Sequence, residues 1–426
     1  MSNVLAMVLA GGEGTRLDPL TRERAKPSVP FGGKYRIIDL VLSNFINSGV
    51  YNIAVVTQFK AESLIDHIEE GWQRTVGSVA GRITINPAQQ RVHKDWYLGT
   101  ADAVYQNFNR IEKVDPDILA VFGGDHIYKM NINDMIVYQQ LRGADMTIAA
   151  IPVPVEKAAR QYGVIVVDED YNLMGFQEKP EKPEPLPDDP TRCLVSMGNY
   201  LFSRDLLTYC FQEDARKEYV SKNKLNSLLE FDAYAQDKYS THDIGYDIIP
   251  FLHRSGLRIL VYDFARNQVP GVTGQEKGYW RDVGTLEEFY ESNMDICGIT
   301  PVFNLYNKEW PIRTAMLNFA PAKFSLSSEV YNSVIAEGSI ITRSRVINSV
   351  LGYDVRCEKG SEVEFSVIFN GVKIGSGAKI RGTIIDKYVE VPPGICIGCN
   401  PEDDKARGLI VTPGGITVVP KRHVFK

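Results

Sequence analysis

Cysteine and histidine are scarce in this sequence of 426 residues, which contains six of each. Only Cys396 and Cys399 have the spacing of a Cys-x-x-Cys pair. The other cysteines are scattered along the chain at Cys193, Cys210, Cys297 and Cys357. No second pair and no nearby histidine completes a set of zinc ligands. The pattern therefore argues against a structural zinc site, and we expect all six cysteines to be reduced thiols.

A surplus of positive charge and long hydrophobic runs are also missing. The formal net charge at pH 7 is −6, which argues against nucleic acid or an anionic membrane as the main partner. The first apolar run, residues 4–10, is too short to span a bilayer and follows no basic segment. We expect a soluble, cytoplasmic protein with no membrane partner and no nucleic-acid partner.

The composition is that of a globular protein, with 44% hydrophobic and 23% charged residues, and the length corresponds to about two to three domains. Short apolar runs, each typical of a buried strand, occur at 4–10, 53–57, 118–122, 146–151 and 163–167. Segments of helical periodicity, such as 37–48 and 61–70, lie between them. This alternation predicts an α/β fold with a Rossmann-like, doubly wound mixed sheet, in which ligands bind at the carboxyl ends of the strands.

Two polar segments interrupt this pattern. Residues 180–191 are rich in Pro, Glu and Asp, which predicts a surface loop. Residues 212–242 contain many Lys, Glu, Asp and Tyr, which predicts an exposed helical excursion. The sequence indicates no function for the excursion.

From about residue 325 aliphatic residues recur every six positions, as at Val334, Ile340 and Val346 and again at Ile368, Ile374 and Ile380. Glycine and small polar residues fill the gaps. This period predicts a left-handed parallel β-helix of hexapeptide repeats, in which each repeat forms one flat side of a triangular coil. A sandwich of short strands is the alternative. We therefore divide the chain into a first domain at 1–300, a linker at 301–325 and a β-helix at 326–426.

The most informative local motif follows the first apolar run and reads Leu9-Ala10-Gly11-Gly12-Glu13-Gly14-Thr15-Arg16-Leu17. Its glycines would let the backbone approach a phosphate chain closely, and its N–H groups would cradle phosphate oxygens. Arg16 adds a fork of donors suited to phosphate, and Lys26 supplies a second cation. The motif is neither a Walker A loop nor a GxGxxG fingerprint. It predicts a phosphate-binding site with two cations.

Together with the Arg24-Ala25-Lys26-Pro27 segment, this motif resembles the sugar nucleotidyltransferase superfamily, with its GT-A-like fold. Further segments are similar to its bacterial glucose-1-phosphate adenylyltransferase branch. They are FGGKYRIIDLVLSN at 31–44, QQR at 89–91, WYLGTADAVYQN at 96–107, GDHIYK at 124–129 and WRDVGT at 280–285. The resemblance runs from residue 4 to about residue 400 and includes the β-helix.

The resemblance implies an enzyme that transfers AMP from ATP to α-D-glucose 1-phosphate, giving ADP-glucose and pyrophosphate for glycogen or other α-glucan synthesis. It also implies a Mg²⁺ cofactor, small-molecule allosteric effectors and a homotetramer. The implied reaction is an in-line displacement without a covalent enzyme intermediate, because the sugar phosphate is already ionised. Catalysis then consists of positioning and charge neutralisation.

The resemblance also implies roles for particular residues. Catalysis falls to Arg16, Lys26 and Asp125, and the metal to Asp125 and Asp282, because Mg²⁺ prefers carboxylate oxygens shared with substrate phosphates. The residues implied for ATP are Leu9, Gly11, Gly12, Gly14, Thr15, Gln90, Gly99 and Thr100. Those implied for glucose 1-phosphate are Tyr97, Gly163, Glu178, Lys179 and Ser196.

Three other functions are alternatives to this one. The hexapeptide repeat contains no histidine, which argues against the acyltransferases that use a histidine on such a coil and favours an assembly and regulatory module. Transfer of a uridylyl or thymidylyl group is a second alternative, which segments 24–44 and 96–107 disfavour. A catalytically weak regulatory subunit is a third, but such a subunit would be expected to have lost its essential cations or carboxylates, and these are present.

Three positions depart from the family pattern. Glu23 stands where relatives can carry a basic residue, Leu98 where Arg is common, and Tyr246 where Lys is common. Because of Glu23, the activators of the relatives are not carried over to this chain. Lys34 and Arg36 are the remaining candidate ligands for effectors.

Overall fold

The computed structural model describes residues 3–77, 81–89, 96–186, 189–232 and 234–425, and only the backbone of Glu178. The strands up to residue 300 are β1 (Val4–Leu9), β2 (Pro30–Phe31), β3 (Tyr35–Arg36), β4 (Asn52–Thr57), β5 (Arg82–Pro87), β6 (Ile118–Gly123), β7 (His126–Tyr128), β8 (Met146–Pro154), β9 (Gly163–Val167), β10 (Leu173–Glu178), β11 (Arg192–Ser203), β12 (Glu218–Tyr219), β13 (Tyr239–Ser240), β14 (Ile259–Asp263) and β15 (Trp280–Asp282).

The helices are α1 (Ile37–Asn47), α2 (Glu62–His67), α3 (Gln73–Gly77), α4 (Thr100–Tyr105), α5 (Phe108–Val114), α6 (Ile132–Arg142), α7 (Val155–Ala158), α8 (Arg204–Ala215), α9 (Lys222–Leu229), α10 (Ala235–Lys238), α11 (Ile249–Arg254), α12 (Leu286–Met294) and α13 (Pro401–Ala406). Within the described ranges, none of them is long and apolar enough to cross a bilayer.

A nine-stranded mixed sheet organises the first domain. Its main order is β10-β9-β11-β6-β1-β4-β5, and β8 joins β11 to β14. Strand β1 is parallel to β4 and β6, whereas β11 is antiparallel to β6. Alternate residues of β1 face the two sides of the sheet: Ala6 and Val8 lie in one apolar cluster, and Leu5 and Met7 lie in the other. The predicted doubly wound mixed sheet is confirmed, and all five predicted strands are present.

The second domain is a triangular coil made of three sheets whose strands are parallel, except that β30 is antiparallel to β31. Its strands are β16 (Lys323–Ser325), β17 (Glu329–Tyr331), β18 (Val334–Ile335), β19 (Ile340–Thr342), β20 (Arg345–Ile347), β21 (Val350–Leu351), β22 (Arg356–Cys357), β23 (Glu362–Glu364), β24 (Val367–Ile368), β25 (Lys373–Ile374), β26 (Lys379–Arg381), β27 (Thr383–Ile385), β28 (Glu390–Val391), β29 (Cys396–Ile397), β30 (Ile410–Val411) and β31 (Thr417–Val419). The sheets run β16-β19-β22-β25-β28, β17-β20-β23-β26-β29 and β18-β21-β24-β27-β31-β30.

The β-helix prediction is confirmed, but its coils are shorter than three full hexapeptides. Val334 pairs with Val350 and Val350 with Val367, so these coils take 16 and 17 residues. The last coil, in which Thr383 pairs with Thr417, is longer because it contains α13. Corner residues such as Asn348 and Asp354 adopt left-handed backbone conformations, with φ of 45° and 52°, which lets the chain turn tightly. Strand β16 lies in the last three residues of the range assigned to the linker.

The segment that joins the two domains packs into the first domain. The Thr314 hydroxyl donates to Asp39 Oδ2 over 2.6 Å, and Trp310 Nε1 donates to Asn44 Oδ1 over 3.1 Å. Asp39 also accepts hydrogen bonds from His67 and Trp72 and is fully buried. Burial alone would raise the pKa of Asp39, but His67 and the hydrogen-bond donors hold it below its ordinary value. The connecting segment therefore completes a buried polar network around α1.

A second contact between the domains is a seam of charged residues. Arg24 Nη2 lies 2.9 Å from Asp386 Oδ1, and both side chains are almost completely buried. Lys34 Nζ lies 3.1 Å from Glu337 Oε1 at a more exposed position. One apolar cluster also contains residues of both domains, including Phe289 and Phe369. The coil is thus held against the first domain by apolar packing and by a buried ion pair.

Two expectations need correction. Cys396 and Cys399, whose Cα atoms are 5.9 Å apart, form a disulfide, so the expectation of reduced thiols is wrong for this pair. The other four cysteines are free. The excursion at 212–242 is exposed and helical in α9, but its last residues are buried, and β12 pairs in parallel with β13. We call residues 216–240 the excursion lobe.

Candidate functional site

A cleft of about 590 Å³ opens at the carboxyl ends of the central strands. It is lined by Leu9 at the end of β1, Val56 near the end of β4 and Gly123 at the end of β6. A doubly wound sheet presents its ligand-binding groups at this edge. Of the residues predicted for ATP and catalysis, those that line the cleft are Leu9, Gly11, Gly12, Gly14, Thr15, Arg16, Lys26, Gly99, Thr100 and Asp125.

The glycine-rich loop is packed tightly against the segment that carries Lys26. Gly14 has a φ of 64°, and a Cβ at this position would lie 2.9 Å from Lys26 Cβ. The Thr21 hydroxyl donates to the Gly14 carbonyl over 2.9 Å, which fixes the same turn. A short 3₁₀ helix, Thr15–Leu17, follows and directs Arg16 into the cleft. Gly14 therefore allows the loop and Lys26 to approach each other.

Replacing Gly14 by Ala is expected to lower kcat by about tenfold to a hundredfold, because the new Cβ would displace Lys26. Steady-state kinetics of the purified variant would measure the loss. The matched control is Gly143→Ala, since Gly143 has a similar φ of 59° but no atom within 4 Å of the point where a Cβ would lie. The control should lose about 1 kcal/mol of stability and keep its kcat. Equal kcat values for the two variants would contradict the packing argument.

Lys26 bridges two carboxylates that are far apart in the sequence. Its Nζ lies 2.9 Å from Asp125 Oδ2 and 3.2 Å from Asp282 Oδ1. Strand β15 pairs with β7, so that Asp282 stands opposite His126, and this pairing brings the two aspartates together. Burial alone would raise the pKa of Asp125, but Lys26 and His126 hold it well below its ordinary value. Both carboxylates are thus presented beside the glycine-rich loop.

This pair of carboxylates suits a hard divalent cation. Among the described residues, no group of three or more His, Cys, Asp and Glu side chains could hold a metal ion. Asp125 and Asp282 would therefore supply only part of a coordination shell. Mg²⁺ commonly binds in this way, with one or two carboxylates and with substrate phosphates and water as the other ligands. The donor set fits such an ion.

Arg16 lies against the turn that begins α12, two residues after Asp282. A Cβ on Gly284 would lie 3.1 Å from the Arg16 guanidinium. Glu288 accepts hydrogen bonds from the backbone N–H groups of Gly284 and Thr285, and the Thr285 hydroxyl accepts one from Glu288 N, which closes a capping box. The capped turn gives Arg16 a rigid surface beside Asp282.

The predicted ATP residues at the other end of the cleft contact a segment distant in sequence. The Thr100 hydroxyl accepts a hydrogen bond from Ile244 N over 2.8 Å, and the His242 carbonyl accepts one from Ala101 N over 2.8 Å. A Cβ on Gly99 would lie 2.1 Å from the His242 carbonyl oxygen. Only glycine therefore fits at position 99. Gln90, also predicted to contact ATP, lies outside the described residues.

The residues predicted to bind the sugar phosphate do not all line the cleft. Tyr97 lines the cleft, whereas Gly163, Lys179 and Ser196 lie outside its lining, as Asp282 does, and the side chain of Glu178 is outside the described part of the structure. Gly163 and Glu178 are paired across β9 and β10, and Lys179 N donates to the Tyr162 carbonyl over 3.2 Å. The Ser196 hydroxyl lies 3.4 Å from the Tyr200 hydroxyl, and Tyr200 lines the cleft. These residues occupy neighbouring strands next to the cleft.

Comparison with known proteins gives the family. The model of the nucleotidyl transferase family matches residues 5–298, and the model of the GlmU-like C-terminal hexapeptide matches residues 319–419. The chain is 46% identical to the glucose-1-phosphate adenylyltransferase of Anaeromyxobacter sp. and 47% identical to that of Thermus thermophilus, with at least 98% of each chain covered. This chain belongs to the glucose-1-phosphate adenylyltransferase family. The protein of that name from Deinococcus radiodurans is 44% identical over 99% of both chains.

Membership of the glucose-1-phosphate adenylyltransferase family confirms the predicted resemblance, and the protein is a nucleotidyltransferase enzyme. The two family models cover both domains in the order seen here.

The sequence analysis of this adenylyltransferase family member missed several residues that lie in the cleft or beside its two aspartates. His126 Nε2 lies 3.7 Å from Asp125 and 3.9 Å from Asp282, and its ring packs against Trp280 at 5.3 Å. Both residues adjoin motifs that the sequence analysis used, so their neighbourhood was a usable signal. Asp243 and Gln58 line the cleft itself. They lie outside every recognised motif, and only the fold brings them to the site.

Proposed function

We propose that this protein transfers the adenylyl group of ATP to α-D-glucose 1-phosphate, forming ADP-glucose and pyrophosphate for glycogen or other α-glucan synthesis. The observation that carries the proposal is the bridge from Lys26 to Asp125 and Asp282 beside the glycine-rich loop. In the proposal, the triphosphate binds against this cation and these two carboxylates. The names of the relatives support the choice of adenylyl group and sugar phosphate.

In the proposed reaction, an oxygen of the sugar phosphate attacks the α-phosphorus of ATP, and the bond to the pyrophosphate oxygen breaks. The glycine-rich loop binds the triphosphate through its backbone N–H groups, and Arg16 and Lys26 neutralise the charge that develops there. Lys179 orients the sugar phosphate, and Tyr97 packs beside it. No residue needs to form a covalent bond, because the attacking oxygen is already anionic.

Asp125 and Asp282 would hold the Mg²⁺ ion, which when bound neutralises phosphate charge and orients the triphosphate. Lys26 contacts both carboxylates and therefore sets their separation. With the ion and substrate present, the Lys26 ammonium would be able to exchange one carboxylate for a phosphate oxygen.

The proposal is tested by measuring pyrophosphate release by the purified protein with Mg²⁺ and glucose 1-phosphate, comparing ATP, UTP and dTTP. We expect kcat/KM to be highest with ATP by a factor of about 100 or more. A preference for UTP or dTTP would assign the protein to uridylyl or thymidylyl transfer. Absence of turnover with all three nucleotides would favour a regulatory subunit.

We also propose the division of the chain into a catalytic domain at 1–300, a linker at 301–325 and a β-helix at 326–426. The β-helix would serve assembly into a homotetramer, as well as regulation, because stacked coils bury apolar faces between subunits. We place the enzyme in the cytoplasm. Size measurement in solution by light scattering would test the tetramer.

The seam between the domains is the proposed site for anionic effectors. Lys34, Arg36 and Lys387 line a small pocket there, and Arg24 lies close to them. Within the described part of the chain, Arg24 Nη1 is buried and has no hydrogen-bond partner. A bound anion would satisfy this donor. Lys34 and Arg36 are thus retained as effector ligands, and Arg24 and Lys387 are added.

Anion binding at the seam is expected to weaken as the pH rises above about 7. Burial lowers the pKa of Lys387 to about 7. The nearby cations Arg36 and Arg24 add to this decrease, whereas Asp386 opposes it. A bound anion favours the protonated amine, so binding takes up a proton above that pH and the affinity falls by up to about tenfold per pH unit. The charge of sulfate is constant between pH 6 and 9. The increase in melting temperature caused by sulfate, measured at several pH values in this range, would report how the affinity changes with pH.

The variant Lys387→Met should bind sulfate more weakly and without this pH dependence. The control is Lys373→Met on the exposed face of the coil, which should behave like the wild type. An identical pH dependence in wild type and Lys387→Met would remove Lys387 from the effector site.

A further inference from the structure

We propose that the excursion lobe, residues 216–240, is part of the substrate site and that its Lys222 is a positioning residue for Asp243, which accepts a hydroxyl of the sugar phosphate. The inference rests on the proposed function. The sequence alone indicated no role for these residues. Their contacts connect them to the wall of the cleft.

The lobe is built as a structured unit with its own small core. Val220, Leu225 and Ala235 are buried together, and Tyr246, which follows the lobe, packs against them. Among the described residues of the lobe, two short strands pair in parallel, and Leu225 of α9 belongs to the same small core as Tyr239 of β13. An element with an apolar core holds its side chains in place better than a loop does.

The end of the lobe is fixed to the wall of the cleft by buried polar contacts. Asp214, at the end of α8, accepts a hydrogen bond from the Ser240 hydroxyl and pairs with His242 Nδ1, both over 2.7 Å. The His242 ring stacks on Tyr219 of β12, with centroids 6.0 Å apart. The His242 backbone is left-handed, with φ of 54°, and its carbonyl accepts the hydrogen bond from Ala101. These contacts fix the direction in which the chain leaves the excursion lobe.

Asp243 comes immediately after this anchor and lines the cleft. Its Oδ1 accepts a hydrogen bond from Tyr246 N over 3.0 Å, and its Oδ2 lies 3.6 Å from Lys222 Nζ at the start of α9. The Lys222 ammonium also lies 5.3 Å above the Tyr246 ring, and the Tyr246 hydroxyl is hydrogen-bonded to Asn226 of α9. Thus α9 contacts the 243–246 segment at three points and orients the Asp243 carboxylate from outside.

A carboxylate at this place is suited to hydroxyl groups and would repel phosphates. Gly245, two residues after Asp243, lies against Phe176 of β10, since a Cβ on Gly245 would be 3.4 Å from the Phe176 ring. Strand β10 leads to Glu178 and Lys179, which the proposed function assigns to the sugar phosphate. Ile244 contacts Thr100 on the ATP side. The chemistry is therefore a sugar hydroxyl, and the neighbouring strand favours the hexose over the ribose.

The test is steady-state kinetics of Lys222→Met, with separate KM values for glucose 1-phosphate and ATP. Because the pair is partly exposed, we expect KM for glucose 1-phosphate to rise about two- to fivefold, with kcat and KM for ATP unchanged. Lys222→Arg should restore the wild-type KM. In an Asp243→Asn background, Lys222→Met should have no further effect, because the residue acts through that carboxylate.

The matched control is Lys224→Met, which removes an exposed lysine from the same helix and should not change either KM. Equal kinetics of Lys222→Met and Lys224→Met, or additive effects of Lys222→Met and Asp243→Asn, would overturn the inference. A rise in KM for ATP alone would assign the hydroxyl to the ribose and overturn the sugar assignment. A wild-type protein that forms no ADP-glucose would instead refute the proposed function, so the two failures are distinguishable.

Discussion

Asp125→Asn is expected to lower kcat by about 10³-fold or more, with little change in the folded structure. The substitution keeps the shape of the side chain but removes the charge that Lys26 holds at 2.9 Å and that a divalent cation would require. Pyrophosphate release under saturating ATP and glucose 1-phosphate measures the loss. The melting temperature of the variant, measured in parallel, shows whether the fold is retained.

Asp170→Asn provides the control, since Asp170 is an exposed residue of the same domain at the turn between β9 and β10. It should retain the wild-type kcat. If Asp125→Asn also turned over at nearly the wild-type rate, the catalytic assignment would be wrong. The regulatory-subunit hypothesis would then account for the chain better.

Asp386→Asn is expected to lower the stability of the protein by about 3–5 kcal/mol. The substitution leaves Arg24 buried at the seam without its carboxylate partner and beside Arg36 and Lys387. An uncompensated buried charge costs more than the ion pair contributes. Scanning calorimetry, which resolves separate transitions in a chain of two domains, would measure the shift.

Glu390→Gln is the matched control because Glu390 pairs with Lys373 at an exposed position on the same coil. Its loss should be less than about 1 kcal/mol. The double variant Arg24→Met with Asp386→Leu should recover much of the stability, since an apolar pair needs no charge compensation. Similar losses for Asp386→Asn and Glu390→Gln would show that the seam is open to solvent.

The features that the sequence predicted well depend on local or periodic information. The loop at 9–17, which lines the cleft as expected of a ligand-binding loop, is a motif of nine consecutive residues, and the strand before Asp125 is a short apolar run. The six-residue period of the second domain follows from side chains that alternate between the interior and the corners of one coil. Each of these can be recognised without knowing the neighbours in space.

The features that it did not predict depend on contacts between distant segments. Asp243 reaches the cleft only because His242 is anchored by Asp214 and because Thr100 lies opposite. The sequence showed that Tyr246 departs from the family pattern, but not that α9 places Lys222 above its ring. The length of one coil, 16 or 17 residues, was also hidden, because corner residues in left-handed conformations shorten the period.

The packing of the connecting segment determines how the chain could be shortened. A truncated enzyme ending at residue 300 would lack Trp310 and Thr314 and would leave two buried acceptors, on Asn44 and Asp39, without these donors. Each such loss costs about 1–3 kcal/mol. The smallest fragment that folds independently is therefore expected to extend beyond Thr314. Part of the connecting segment belongs to the folded first domain.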